Sequence, residues 1–179
     1  MDRRPVLEGD RLMLRPLIPA DWDTLYAIAR DPQIWAQHPS HDRWQEPVFR
    51  QFFADAFVRG GALAIVDKAG GEVIGSSQFG PEEAENPGEI EIGWSFLARA
   101  FWGKGYNAEF KRLMLAHALA HYDRAIFQVG EDNAISRRAM ENIGGVLTDR
   151  TRVFERAGKI VRHVIYEITR EGFKSGPLG

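Results

Sequence analysis

Glu89-Ile90-Glu91-Ile92-Gly93-Trp94-Ser95-Phe96-Leu97 alternates polar and apolar residues, the period-two pattern of a strand with one buried face. After the spacer Ala98 to Trp102, Gly103-Lys104-Gly105-Tyr106-Asn107-Ala108 opens into a helical stripe of Phe110, Leu113, Met114, His117 and Ala118. Small residues let consecutive backbone N–H groups point one way, and a helix N-terminus adds about half a positive charge. Such a strand, loop and helix suit a pyrophosphate guest. A plain glycine-rich turn before a helix is the alternative.

Upstream, Arg11 to Arg15 alternates as a half-buried strand. From Ala20, Trp22, Leu25, Tyr26 and Ala29 fall at helical spacing, and Asp31-Pro32 ends that helix. Pro47 opens a second helix carrying Phe49, Phe52, Phe53, Ala56 and Phe57, closed by Gly60-Gly61. Ala62 to Val66 and Glu72 to Phe79 read as strands around a turn at Ala69-Gly70-Gly71. Downstream come a third helix over Asn107 to Tyr122, a strand over Ala125 to Val129, and a fourth helix over Asn133 to Ile143. Gly144-Gly145 closes that helix. Two last strands, Val146 to Phe154 and Ile160 to Thr169, flank a turn at Ala157-Gly158-Lys159. Strands before the third helix and one strand-helix-strand crossover after them predict an α+β fold with a mixed sheet. Residues 1–179 read as a single domain.

The chain's 179 residues carry 23 basic and 25 acidic side chains, a formal charge of -2. That balance gives no field for nucleic acid or an anionic membrane. No apolar run reaches the roughly 18–20 residues that span a bilayer, and Met1-Asp2-Arg3-Arg4-Pro5 leads into no signal-like apolar region. A cytoplasmic protein, monomer or homodimer, is expected. Cysteine is absent, which excludes disulfides, thiolate nucleophiles and cysteine-ligated metals. His38 and His41 lack a supporting carboxylate or cysteine pattern, and no metal is expected. His117 and His121 lack the zincin glutamate and read as packing residues.

The glycine loop is not a P-loop, which needs a longer spacing before Gly-Lys-Ser/Thr. Its letters match G-x-G-x-x-A, the dinucleotide fingerprint, but that motif sits directly at a strand end within repeated βαβ units. A nicotinamide oxidoreductase is therefore a poor alternative.

Glu91 through Ala108 resembles the signature of the GNAT acyl-CoA N-acyltransferases, Q/R-x-x-G-x-G/A, laid over Trp102-Gly103-Lys104-Gly105-Tyr106-Asn107. Trp102 replaces Gln/Arg, and Asn107 replaces the final small residue. Asp132 to Gly145 is similar to the family's second signature, N-x-x-S-x-x-x-x-E-x-x-G-F, with Gly145 in place of Phe. Asp10 to Leu17 and the tail from Ile165 to Glu171 resemble the RimJ/RimL-like branch, which acetylates ribosomal-protein N-termini. The resemblance covers nearly the whole chain. It implies a twisted, mostly antiparallel sheet of about seven strands, flanked by about four helices, with splayed central strands.

It also implies acyl transfer from acetyl-CoA to a primary amine by direct attack in a ternary complex. A catalytically quiet CoA-binding module on the same fold is the alternative. Residues 102–108 (Trp102, Gly103, Lys104, Gly105, Tyr106, Asn107 and Ala108) are then the pyrophosphate cradle. The main chain of Phe96 and Leu97 would pair with pantetheine, and an N–H near Trp94 or Ser95 would polarise the thioester. Glu91 is the candidate general base, with a solvated or salt-bridged glutamate as its alternative. The family's usual tyrosine acid falls on Met140, which has no proton to give. Ser136, one turn earlier, is the nearest hydroxyl and the candidate partner of the thiolate. Asn133 is expected both to cap its helix and to contact CoA. Trp35, His38, Trp44 and Trp94 are the expected acceptor-site residues, though loop aromatics also clamp loops onto cores. Glu82, Glu83 and Glu85 would favour a cationic acceptor if their loop borders the groove.

Overall fold

The structure, a computed structural model, describes residues 1–82, 85–156 and 158–179. Among the described residues eight strands form one open sheet in the order β1-β2-β3-β4-β5-β6-β8-β7. They are β1 (Leu7–Glu8), β2 (Leu12–Pro16), β3 (Ala62–Asp67), β4 (Val73–Phe79), β5 (Glu89–Leu97), β6 (Arg124–Gly130), β7 (Val146–Arg156) and β8 (Lys159–Thr169). Pairing is antiparallel everywhere except between β5 and β6. The helices are α1 (Trp22–Ala29), α2 (Pro32–Trp35), α3 (Glu46–Arg59), α4 (Tyr106–Leu119), α5 (Ala134–Asn142) and α6 (Arg170–Ser175). The α4 crossover makes the single parallel pair possible, since a hairpin cannot return a strand in the same direction.

The alternation of β3 divides the core. Leu63 and Ile65 face the cluster containing Phe110, Met114, Leu115 and Ala118 of α4. Ala62 and Ala64 face Leu25, Trp35, Phe49 and Phe52 from α1, α2 and α3. The alternation of β5 does not hold throughout. Ile90 and Ile92 face the α4 side, whereas Trp94 and Phe96, also even-numbered, face the α1–α3 side. A bulge between the Ser76 and Gln78 register positions causes the switch, because one extra residue exchanges the faces of a strand. Trp94 takes that turn at φ +53°, a left-handed conformation that a bulky residue holds only at a cost of about 1–3 kcal/mol.

β5 and β6 pair over Glu89, Ile90 and Glu91 and then separate. The chain thus has a fork, and the bulge lies on one of its arms. Glu89 closes the fork's base. It is 1% exposed and accepts from Arg124 Nε at 3.2 Å and from both Arg150 terminal nitrogens at 3.0 Å. Burial pushes its carboxyl up, but the Arg150 and Arg124 bonds outweigh that and leave it below its ordinary value.

Candidate active site

A cleft of about 140 Å³ opens between the arms of the fork, walled by Ile92 to Ser95 of β5 and Phe127 to Gly130 of β6. Asn107 and Lys111 of α4 close one side, and Asn133, Ser136 and Met140 the other. The cleft itself is bordered by Ile92 to Ser95 of β5, and the expected pantetheine partners Phe96 and Leu97 lie just beyond it. Ala98 N–H donates to the Ile74 carbonyl, so antiparallel alternation also turns the peptide groups of Phe96 towards β4, opposite Ser76. Leu97 turns its own groups away from β4, but its carbonyl accepts from Trp102 Nε1 at 3.0 Å. Trp102, in the place of the family's Gln/Arg, ties the loop to the strand.

Beyond it, Gly103 at φ +69° and Gly105 at φ +83° occupy conformations that favour glycine, and they bend the chain into α4. No side chain caps that helix, and Glu109 N–H to the Gly105 carbonyl is its first backbone bond. The N-terminal donors of a fourteen-residue helix are thus left for a ligand. Arg11 braces the loop, donating to the Lys104 carbonyl at 2.7 Å and stacking 4.2 Å from the Tyr106 ring centre.

Lys111 is the residue that sequence reading missed. It lies within the buried face of α4, beside Phe110, Met114 and Leu115, and is 5% exposed. Its Nζ donates to Ser95 Oγ at 2.9 Å and lies 5.1 Å from the centres of the Phe110 and Phe127 rings. Ser95 Oγ in turn shares a 2.8 Å bond with Ser77 Oγ. Burial alone drives the ammonium down to about 7. The detectable signal was a charge inside an apolar stripe, tolerable there because the separated strands leave space above it.

Glu91 is the last β5 residue paired with β6, so its carboxylate stands at the fork. A Cβ placed on Gly93, a cleft residue, would lie 4.0 Å from Glu91 Oε1. Burial raises the carboxyl to about 7 against the opposing pull of Arg152 and Arg59. Asn133 Oδ1 accepts from Ser136 N–H at 3.2 Å, the expected cap, while both side chains border the cleft. Met140 is buried there as an apolar wall.

The expected acceptor residues divide. Trp94 borders both the cleft and a second cavity of about 420 Å³ beside α3. His38 reaches the cleft, where it accepts from Ser40 N–H at 2.9 Å and burial takes it down to about 3, hence neutral. His163 and Gln128 face it there, bonded to each other at 3.3 Å. Trp35 is a core residue instead, 2% exposed, with Nε1 bonded to the Ala29 carbonyl at 2.8 Å among Phe52 and Phe96. Trp44 lies on the outside, next to Tyr26. Glu85 is engaged by Arg150 and Arg152 rather than free for a cation, and Glu83 lies outside the described residues.

A forked strand pair beside an uncapped, glycine-led helix is the arrangement expected from the sequence signatures. A family model for the acetyltransferase (GNAT) domain matches residues 11–146. The chain belongs to the GNAT acetyltransferase family. It is accordingly an acetyl-CoA-dependent N-acetyltransferase. It is 26% identical over 150 residues to the uncharacterized protein YkkB of Bacillus subtilis (strain 168), covering 80% of this chain and 87% of that one. A GCN5-related N-acetyltransferase from Brucella melitensis superposes with a TM-score of 0.79 at 20% identity, over 96% of this chain and 81% of the other. Mycobacterium smegmatis RimJ, solved with CoA-disulfide, shares the fold at a TM-score of 0.74 and 18% identity, over 97% and 91% of the two chains. Among the described residues no helix is long and apolar enough to cross a membrane.

Proposed function

We propose that this GNAT enzyme acetylates a primary amine by direct attack, with both reactants held across the fork of β5 and β6. The observation that carries the reading is the separation of the two strands after Glu91, which opens Ile92 to Ser95 beside the glycine loop. Residues 102–108, with Asn107 at the cleft itself, would hold the pyrophosphate. Asn133 and Ser136 would hydrogen-bond the arm that follows. Acetyl-CoA supplies the acetyl group, the thioester and the leaving thiol.

Glu91 takes a proton from the acceptor's ammonium, leaving a neutral amine whose lone pair attacks the thioester carbon. The C–N bond forms, the C–S bond breaks, and the surplus N–H proton leaves to water, as does the proton held by Glu91, which restores the carboxylate. Lys111 gives a proton to the departing sulfur and recovers one from solvent. An ammonium with no carboxylate partner among the described residues, in a buried site, is well suited to charge that develops on a neighbouring atom. This assignment supplies the acid that Met140 cannot provide, with Ser136 as a hydrogen-bonding neighbour. A catalytically quiet CoA-binding module would bind the same ligand without turnover.

The test is thiol release from acetyl-CoA with a panel of amines, beside calorimetry with CoA. CoA binding with amine-dependent release supports the reading. Binding without release from any amine refutes the catalytic part and leaves the quiet module.

A further inference from the structure

The cavity beside α3 is lined by three guanidinium groups, Arg43, Arg59 and Arg156, and two carboxylates, Asp42 and Asp55. The carboxylates attend to Arg156 and Arg59 and leave Arg43 without a hydrogen-bonded partner among the described residues. Asp42 accepts from Arg156 Nη2 at 2.9 Å, and Asp55 accepts from Gln51 Nε2 at 2.8 Å. Arg59 donates Nε to Gln78 Oε1 at 3.0 Å and lies 4.5 Å over the Trp94 ring. The Arg43 guanidinium makes no hydrogen bond to any described residue. It is held instead against rings, 4.3 Å from Phe52 and 5.0 Å from Trp35.

Arg43 Nε, Arg59 Nη2 and Arg156 Nε are all buried without an acceptor. A guanidinium offers five donors in a fixed fork and holds its proton more tightly than a lysine in the same setting. Buried donors without acceptors are uncommon in native structures, and several in one cavity wall call for acceptors supplied by a ligand or by ordered water. Burial together with Arg156 and Arg59 pulls Arg43 down to about 9, against the opposing influence of Asp42. Three lining guanidinium groups thus face two lining carboxylates, Glu91 acts on Arg59 from outside the cavity, and Arg43 is left without an acceptor among the described residues.

We infer that the acceptor amine also carries an anionic group, a carboxylate or a phosphate, seated on Arg43 between Arg59 and Arg156. The inference rests on the acetyltransferase reading and adds the chemical class of its second substrate. Trp94 forms a wall of both this cavity and the thioester cleft, and Arg59 stacks on that same ring. An anion in the cavity would thus place an attached amine at the fork. A volume of about 420 Å³ suits a small metabolite. Planar carboxylates and phosphates are the acceptors that the guanidinium fork matches best.

Acetyl transfer is measured with matched amines: an α-amino acid against its amide and methyl ester, and an aminoalkyl phosphate against the parent amino alcohol. The anionic member of a productive pair is expected to exceed its neutral partner by at least about 30-fold in kcat/KM, chiefly through KM. Whichever pair separates, carboxylate or phosphate, identifies the anion. Arg43→Met, which keeps an apolar stem against Phe52 and Trp35, is expected to narrow the preference to about threefold or less. Arg43→Lys should keep part of it, and Arg50→Met on the outer face of α3 should leave it intact.

Calorimetry of the CoA-loaded protein with acetate and inorganic phosphate gives a readout independent of turnover. Heat in the wild type that disappears in Arg43→Met supports the anion site even if no amine is acetylated, and in that case the acetyl-transfer reading alone fails. Equal use of anionic and neutral amines, or a preference that survives Arg43→Met, overturns the inference and leaves acetyl transfer standing. Absence of both the preference and the heat overturns it as well.

Discussion

The cleft and the cavity share Trp94 as a wall but are built on opposite electrostatic plans. In the cleft, a single ammonium, Lys111, is surrounded by a serine hydroxyl and two aromatic rings, and the histidine His38 is kept neutral. In the cavity, three guanidinium groups face two carboxylates, of which Asp42 is bonded to Arg156 and Asp55 to Gln51. A lysine whose proton is loosely held serves charge that appears and disappears during reaction. Arginines, which hold their protons through the neutral range, serve charge that stays on the ligand. The difference separates the reacting end of the site from the recognising end.

Lys111→Met cuts most directly into this contrast. It is expected to lower kcat about 10³-fold while the KM for acetyl-CoA stays within about threefold, as steady-state kinetics would show. The variant also changes the pH profile. As an acid, Lys111 acts when protonated, so its contribution is full below about 7 and falls as pH rises through 7. The alkaline limb of kcat should therefore disappear in the variant.

Glu89→Gln tests whether both regions depend on the base of the fork. Removing one partner of a buried charged network is expected to cost about 3 kcal/mol, read from the urea midpoint. Because the folded carboxyl lies below its unfolded value, its stabilisation is present above the unfolded pKa and lost as pH falls through the folded one. Wild-type and variant stabilities should converge in acid.

Glu91→Gln is expected to lower kcat/KM about 10²-fold. Glu91 works as a carboxylate, so wild-type activity should fall as pH drops through about 7. The variant should lose that acid limb and keep the alkaline one, the mirror image of Lys111→Met. A pH–rate profile unchanged by the substitution removes Glu91 from the base role. The smallest effect is expected at Ser136→Ala, about tenfold or less in kcat, since Lys111 carries the proton. A larger loss there than in Lys111→Met would reverse the two assignments.

Much of the frame was legible in local sequence, because strand periodicity and helix stripes are local properties. β5 and the glycine loop fall where the alternation and the Gly-x-Gly spacing place them. The two-residue β1 and the short α2 and α6 escaped, being too brief to show a period. The bulge at Trp94 was hidden because polar and apolar letters continue to alternate through it, while the face they occupy changes. Trp35 read as a loop aromatic near substrate because sequence shows composition but not which ring closes on Ala29. The two charged clusters were unreadable for a related reason. Lys111 owes its setting to strands that separate, and Arg43 and Arg156 meet only through the distant β7–β8 hairpin.

The central claim is that the floor of the fork carries a readily lost proton beside the thiol end of CoA. Labelling lysine at the ε-carbon and following its NMR shift with pH tests it directly, with Lys111→Met assigning the signal. Titration near 7 in the free enzyme, moving upward with CoA but not with desulfo-CoA, is the predicted result. A Lys111 that titrates in the ordinary lysine range, or responds equally to both ligands, contradicts it.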